Sequence, residues 1–116
     1  MPPIQRLHPS ARYCEATIHN GTVYLAGQVA VEAKQDIRGQ TTQVLAAIDK
    51  LLAEAGTDKS CVLMAQIFLA DMADFAGMNT VWDAWVAPGH APSRATVEAQ
   101  LARPGWRIEI VVTAAI

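Results

Sequence analysis

The hydrophobic pattern of the chain switches several times between a period of two and a period of three to four. Two β-rich runs, Cys14 to His19 and Thr22 to Ala26, flank Asn20-Gly21. That dipeptide is the preferred pair for a tight hairpin turn, because both central positions need φ > 0. Gly27 follows as a bulge or as a place where backbone comes close to something. From Asp36, a plausible N-cap, Val44, Leu45, Ile48, Leu51, Leu52 and Ala55 recur at spacings of three and four. They predict a one-sided helix that stops at Gly56, a natural C′ residue. Ser60 to Ala70 is almost continuously apolar, and its length favours a strand buried on both faces. A second helix starts at Asp74, carries Phe75, Met78, Val81, Trp82 and Trp85 at helical spacing, and ends before Pro88 and Gly89. Two further strands, Ala95 to Gln100 and Arg107 to Ala114, are separated by the turn residues Arg103-Pro104-Gly105.

The predicted order is strand, strand, helix, strand, helix, strand, strand. This is an α+β fold with two helices packed on one face of a mixed sheet. No predicted segment is left to cover the other face. An apolar second face on so short a chain implies burial against another subunit. At 116 residues a single domain over 1–116 is expected, and 52% hydrophobic residues suffice for its core.

Charge and cysteine usage narrow the function classes. The formal net charge is -2 with no Lys/Arg cluster, which argues against a nucleic-acid partner. No apolar run approaches the roughly 18 residues of a membrane span. The N-terminal "MPPIQRLHPS" has no signal-peptide core, so a cytoplasmic location without membrane partners is expected. Cys14 and Cys61 lack metal-ligand spacing, and His8, His19 and His90 form no metal pattern. Neither a phosphate loop, nor "GxGxxG", nor "GxSxG" occurs.

Charged residues inside strand patterns need explaining. Arg94 opens one strand in "APSRATVEA"; Glu98 lies within it, and Glu109 interrupts "RIEIVV". A carboxylate in a half-buried strand either faces solvent or is held by a partner. Taken singly, Glu98, Arg107 and Glu109 read as outward polar residues, and Arg94 as a member of a surface ion pair. Trp82 and Trp85 read as packing, and Tyr13 as a residue at the mouth of the first hairpin.

Together the motifs resemble the RidA (YjgF) family of reactive-intermediate deaminases. The resemblance runs nearly end to end. It is carried by Tyr13, "GTVY" at Gly21 to Tyr24, Gly27-Gln28, Phe75, Met78-Asn79, Trp82 and Trp85. Pro92, Arg94, Val97-Glu98 and Ile108-Glu109-Ile110 complete it. It implies a chorismate-mutase-like (YjgF-type) sheet assembled as a homotrimer with active sites between subunits. It also implies hydrolysis of 2-imino or enamine acids, such as 2-aminoacrylate and 2-iminopropanoate, to 2-keto acids and ammonia. No metal or organic cofactor is implied, because an imine is already an activated electrophile.

By the resemblance, Arg94 grips the substrate carboxylate, for which an arginine fork is suited. Glu109 positions the attacking water and handles its proton. Tyr13 lines the cleft, Gly27 lies next to the substrate, and Asn79 and Trp85 are further cleft positions. One departure stands out: the family's usual "G-P-Y" is Ala11-Arg12-Tyr13 here, which puts an extra cation beside the cleft. A module that binds keto acids without catalysis and a specialised catabolic deaminase are the alternative readings. Ribonuclease activity, described for some relatives, is disfavoured by the acidic charge. Chorismate mutase chemistry shares only the fold.

Overall fold

The protein is described by a computed structural model covering residues 3–116. Seven strands and two helices follow in the order β1 (Gln5–Leu7), β2 (Ala16–His19), β3 (Thr22–Leu25), β4 (Gln28–Val29), α1 (Ile37–Glu54), β5 (Val62–Leu69), α2 (Phe75–Trp85), β6 (Ser93–Glu98) and β7 (Ile108–Ala115). Short 3-10 turns precede β5 and α2. The sheet runs β1-β2-β3-β7-β5-β6, and β4 pairs with β7. Every pairing is antiparallel except β5 with β6, which α2 connects as a crossover.

Local chemistry accounts for the element ends. Asn20 (φ 52°) and Gly21 (φ 75°) both take the left-handed conformation that the β2–β3 turn demands. The Asp36 carboxylate accepts from the Gly39 N–H at 2.9 Å and caps α1. Gly56, at φ 89°, closes the same helix. Asp74 occupies the N-cap position of α2 but makes no capping bond. Its carboxylate instead accepts from Arg107 Nη1 at 3.2 Å.

Both helices cover one face of the sheet. Val44, Ile48 and Leu52 of α1 and Met78 of α2 are buried there, over Ala65, Ile67, Leu69, Ile108, Ile110 and Val112. The expectation that β5 is buried on both faces is corrected: its burial alternates, with Met64 and Gln66 exposed. One face packs on helices and the other carries no element among the described residues. On that uncovered face Tyr24, Met64 and Val97 are exposed, and Val111, Thr113 and Ala115 of β7 are half-buried.

β1 and β4 are not signalled by the sequence pattern. They contain three and two residues, too few to show a period. The first predicted strand starts at Ala16 rather than Cys14, which leaves Tyr13 in the loop between β1 and β2.

Gln40 makes a polar knot inside the core. It is fully buried on α1, one turn before Val44. Its side-chain amide donates towards the carbonyls of Ala33, Gln35 and Gly105 at 2.9–3.1 Å. Its carbonyl accepts from the Arg107 N–H at 2.8 Å. One side chain thus ties the start of α1 to the turn that leads into β7.

Candidate active site

Arg94 stands on β6 opposite Ala65, so its side chain leaves the sheet on the helix-covered face. There it meets one face of α2. Phe75, Asn79 and Trp82 lie at positions i, i+4 and i+7 and therefore line up on the same side of the helix. The guanidinium carbon sits 5.2 Å from the Trp82 ring centre and 5.9 Å from that of Phe75. Arg94 Nη1 donates to Asn79 Oδ1 at 2.9 Å. No carboxylate forms a salt bridge with Arg94 among the described residues. A guanidinium has five N–H donors in a planar fork, and here one is assigned. Cation–π contact with the two rings holds its plane while the remaining donors stay open to an anion. Two residues along the strand, the buried Thr96 hydroxyl has no hydrogen-bond partner among the described residues.

Glu109 belongs to the opposite face. It pairs in register with Phe68, as Val97 does, so the three side chains share the uncovered surface. Its carboxylate lies against the backbone of Gly27. A Cβ added at Gly27 would fall 2.9 Å from Glu109 Cδ and overlap a carboxylate oxygen. The expected close approach at Gly27 is therefore made by Glu109. No salt bridge engages Glu109 among the described residues.

Tyr13 stands apart from both groups. Its loop is pinned by Ser10, whose N–H and hydroxyl both donate to the Tyr13 carbonyl at 2.8 and 2.7 Å. The residue is 62% exposed. β1 and β6 are the two ends of the sheet, separated by about 24 Å at ~4.8 Å per strand spacing. Trp85 is likewise not against Arg94. Its indole N–H donates to both Asp49 carboxylate oxygens at 3.0 and 3.1 Å, which docks α2 on α1.

The six residues singled out from sequence thus fall into separate groups: Arg94 with Asn79, Glu109 with Gly27, Tyr13 alone, and Trp85 between the helices. Phe75 and Trp82, read beforehand as motif and packing residues, are the platform for the guanidinium. Their i, i+7 spacing around Asn79 is the signal that could have shown it. Glu98 is accounted for by structure: its carboxylate accepts from the Met72 N–H at 2.8 Å.

The family profile described as Endoribonuclease L-PSP matches residues 3–116. The chain belongs to this family, also known as the YjgF family. It is 53% identical over 113 residues to a RutC family protein of Haemophilus ducreyi, covering 97% of each chain. It is 47% identical over 113 residues to the RutC family protein YoaB of Escherichia coli K12, covering 97% of this chain and 98% of that one. Among solved structures, it resembles a YjgF family member from Neisseria meningitidis. The two share 51% identity with a TM-score of 0.95, over 97% of this chain and 94% of the other. The mixed sheet with two helices on one face is the YjgF-family fold, as the sequence resemblance implied.

Proposed function

We propose that this YjgF-family protein hydrolyses 2-imino and enamine acids to 2-keto acids and ammonia, in sites formed between copies of the chain. The observation that carries the reading is the state of Arg94. Its guanidinium is half-buried, stacked on two aromatic rings, held by one amide and matched to no carboxylate. That arrangement pre-orients a bidentate donor for a planar carboxylate.

The substrate carboxylate docks on Arg94, which places the adjacent imine carbon next to the site. Water adds to that carbon. The carboxylate of Glu109 accepts one proton of the water and passes it to the nitrogen of the protonated imine, then takes the proton of the new hydroxyl as the C–N bond breaks. Ammonia leaves and the carbon keeps the oxygen as a ketone. An enamine first takes a proton at carbon to reach the same imine. The bare Cα of Gly27 leaves the room in which Glu109 stands. Tyr13 supplies a cleft wall.

In one chain Arg94 and Glu109 project from opposite faces, and Tyr13 lies at the other end of the sheet. Juxtaposition of these groups therefore calls for a second copy, and the uncovered apolar face supplies the surface for it. A homotrimer, as the family resemblance implies, meets this requirement.

The test is a coupled assay in which an amino-acid oxidase or a dehydratase produces the imine and its decay is timed. Wild type shortens the lifetime, whereas Arg94→Ala and Glu109→Gln fall to the buffer rate. Unchanged decay with wild type across several imino acids rules the reading out. Keto-acid binding without turnover would then favour a non-catalytic carboxylate-binding module.

A further inference from the structure

The loop that carries Tyr13 has a feature the deaminase reading leaves unused. Arg6 of β1 and Arg12 of the loop line one hollow of about 220 Å³ together with Tyr13, Ser10 and Cys14. Both arginines are exposed. Among the described residues, neither has a carboxylate within salt-bridge distance. The Ser10–Tyr13 bonds fix the loop, so Arg12 and the Tyr13 ring are presented from a defined turn. Two arginines that line one small hollow, neither of them ion-paired among the described residues, give it a positive character in a chain whose formal net charge is -2. Such a hollow fits a carboxylate, since each guanidinium can offer paired N–H donors.

We infer that this hollow receives a second carboxylate, so that the preferred substrates are imines of acidic amino acids. The inference rests on the proposed deaminase, in which Tyr13 walls the cleft that holds Arg94 of another copy. One carboxylate lies on Arg94. The imine carbon comes next, and the substrate side chain extends towards the Tyr13 loop. Arg12 and Arg6 stand at the end of that path, where a side-chain carboxylate meets them. An alanine-derived imine reaches neither.

Two readouts separate this site from the reading it rests on. The first is calorimetry with the product analogues, a five-carbon 2-keto dicarboxylate against 2-ketobutyrate. Wild type should bind the diacid about tenfold more tightly, the order expected of one charge-assisted contact. Arg12→Gln and Arg6→Gln should each bring the ratio towards one. These are exposed positions, and unchanged thermal melting checks that the variants fold. The second readout is the coupled assay with imines produced from glutamate and from alanine, where kcat/KM should show the same preference and the same loss in Arg12→Gln. Equal binding of the two acids overturns the second-carboxylate site, as does binding of neither at millimolar concentration or a ratio unmoved in both variants. An inactive protein that keeps an Arg12-dependent preference for the diacid retains the site and loses the deaminase reading. An active protein without the preference does the reverse.

Discussion

Arg94→Lys keeps the positive charge but replaces a planar fork with a point donor that cannot span Asn79, the aromatic platform and a bidentate carboxylate together. The expected outcome is a fall in kcat/KM of about a hundredfold, from the loss of ~2–3 kcal/mol of charge-assisted bonding. The coupled imine-decay assay reads it, with thermal melting little changed. Gly27→Ala acts by collision: the new methyl would occupy the space of the Glu109 carboxylate. That variant should fold yet lose most activity, and pairing it with Glu109→Gln should cost little more, because both changes remove the same group. The residue scale is where sequence reading reached furthest. Arg94, Asn79, Gly27 and Glu109 were all singled out by motif, and the structure joins them in pairs. Their faces were not legible. The face of Arg94 depends on the pairing of β6 with β5, which is a long-range register, and a shift of one residue would reverse it.

At the scale of elements, the long periodic segments were the readable ones. α1 shows its stripe over Ile37–Glu54, and α2 and the β2–β3 hairpin carry strong local signals. β1 and β4 were hidden because they exist only as partners of β2 and β7. β5 misled for a related reason: "CVLMAQIFLA" is apolar but for Gln66, yet only one side of it packs on the helices. Gln40 shows a different limit. It sits one turn before Val44 on the apolar stripe, so its burial could be read, but its partners around Gly105 and Arg107 could not. Gln40→Leu keeps the volume and leaves several part-buried backbone groups unpaired. A destabilisation of about 3 kcal/mol follows from the desolvation cost of those groups. Denaturant unfolding should show a lower midpoint with the slope unchanged.

The 3-10 turn before β5 offers a pH-dependent check. Hydrogen bonds from the Ser60 hydroxyl and N–H hold the Asp58 carboxyl below its ordinary value of 3.8. A depressed carboxylate pKa contributes stability above that ordinary value and loses it as pH falls through the folded one. The gap in melting temperature between wild type and Asp58→Ala should therefore narrow once the pH drops below 3.8.

On the scale of the whole molecule, the uncovered sheet face carries the argument. Counting elements in the sequence showed that two helices cannot cover two faces. The structure places Tyr24, Met64, Val97 and Val111 on the open one. Association there, as proposed, would bring Glu109 to an interface and account for an apolar surface of that extent. Light scattering should give three times the chain mass of 12.5 kDa. Val111→Glu should lower that mass and abolish activity together, because it puts a charge at the centre of the face without touching Arg94 or its platform. Association state could be argued from the sequence only through element counting and family resemblance, since no single residue encodes it.

Complementation between two inactive chains tests the central claim most directly. Arg94→Ala and a Tyr13→Glu variant each carry one damaged half-site, at opposite ends of the sheet. The two are dissociated, mixed and reassembled, and the rate of imine hydrolysis is compared with that of each variant alone. If the site is built between copies, some interfaces in the mixed assembly join an intact Arg94 to an intact Tyr13 loop, and activity returns to a substantial fraction of wild type. If mixed assemblies form, as mass measurement would show, and stay as inactive as their parents, the site does not lie between copies and the account given for Arg94 and Tyr13 is wrong.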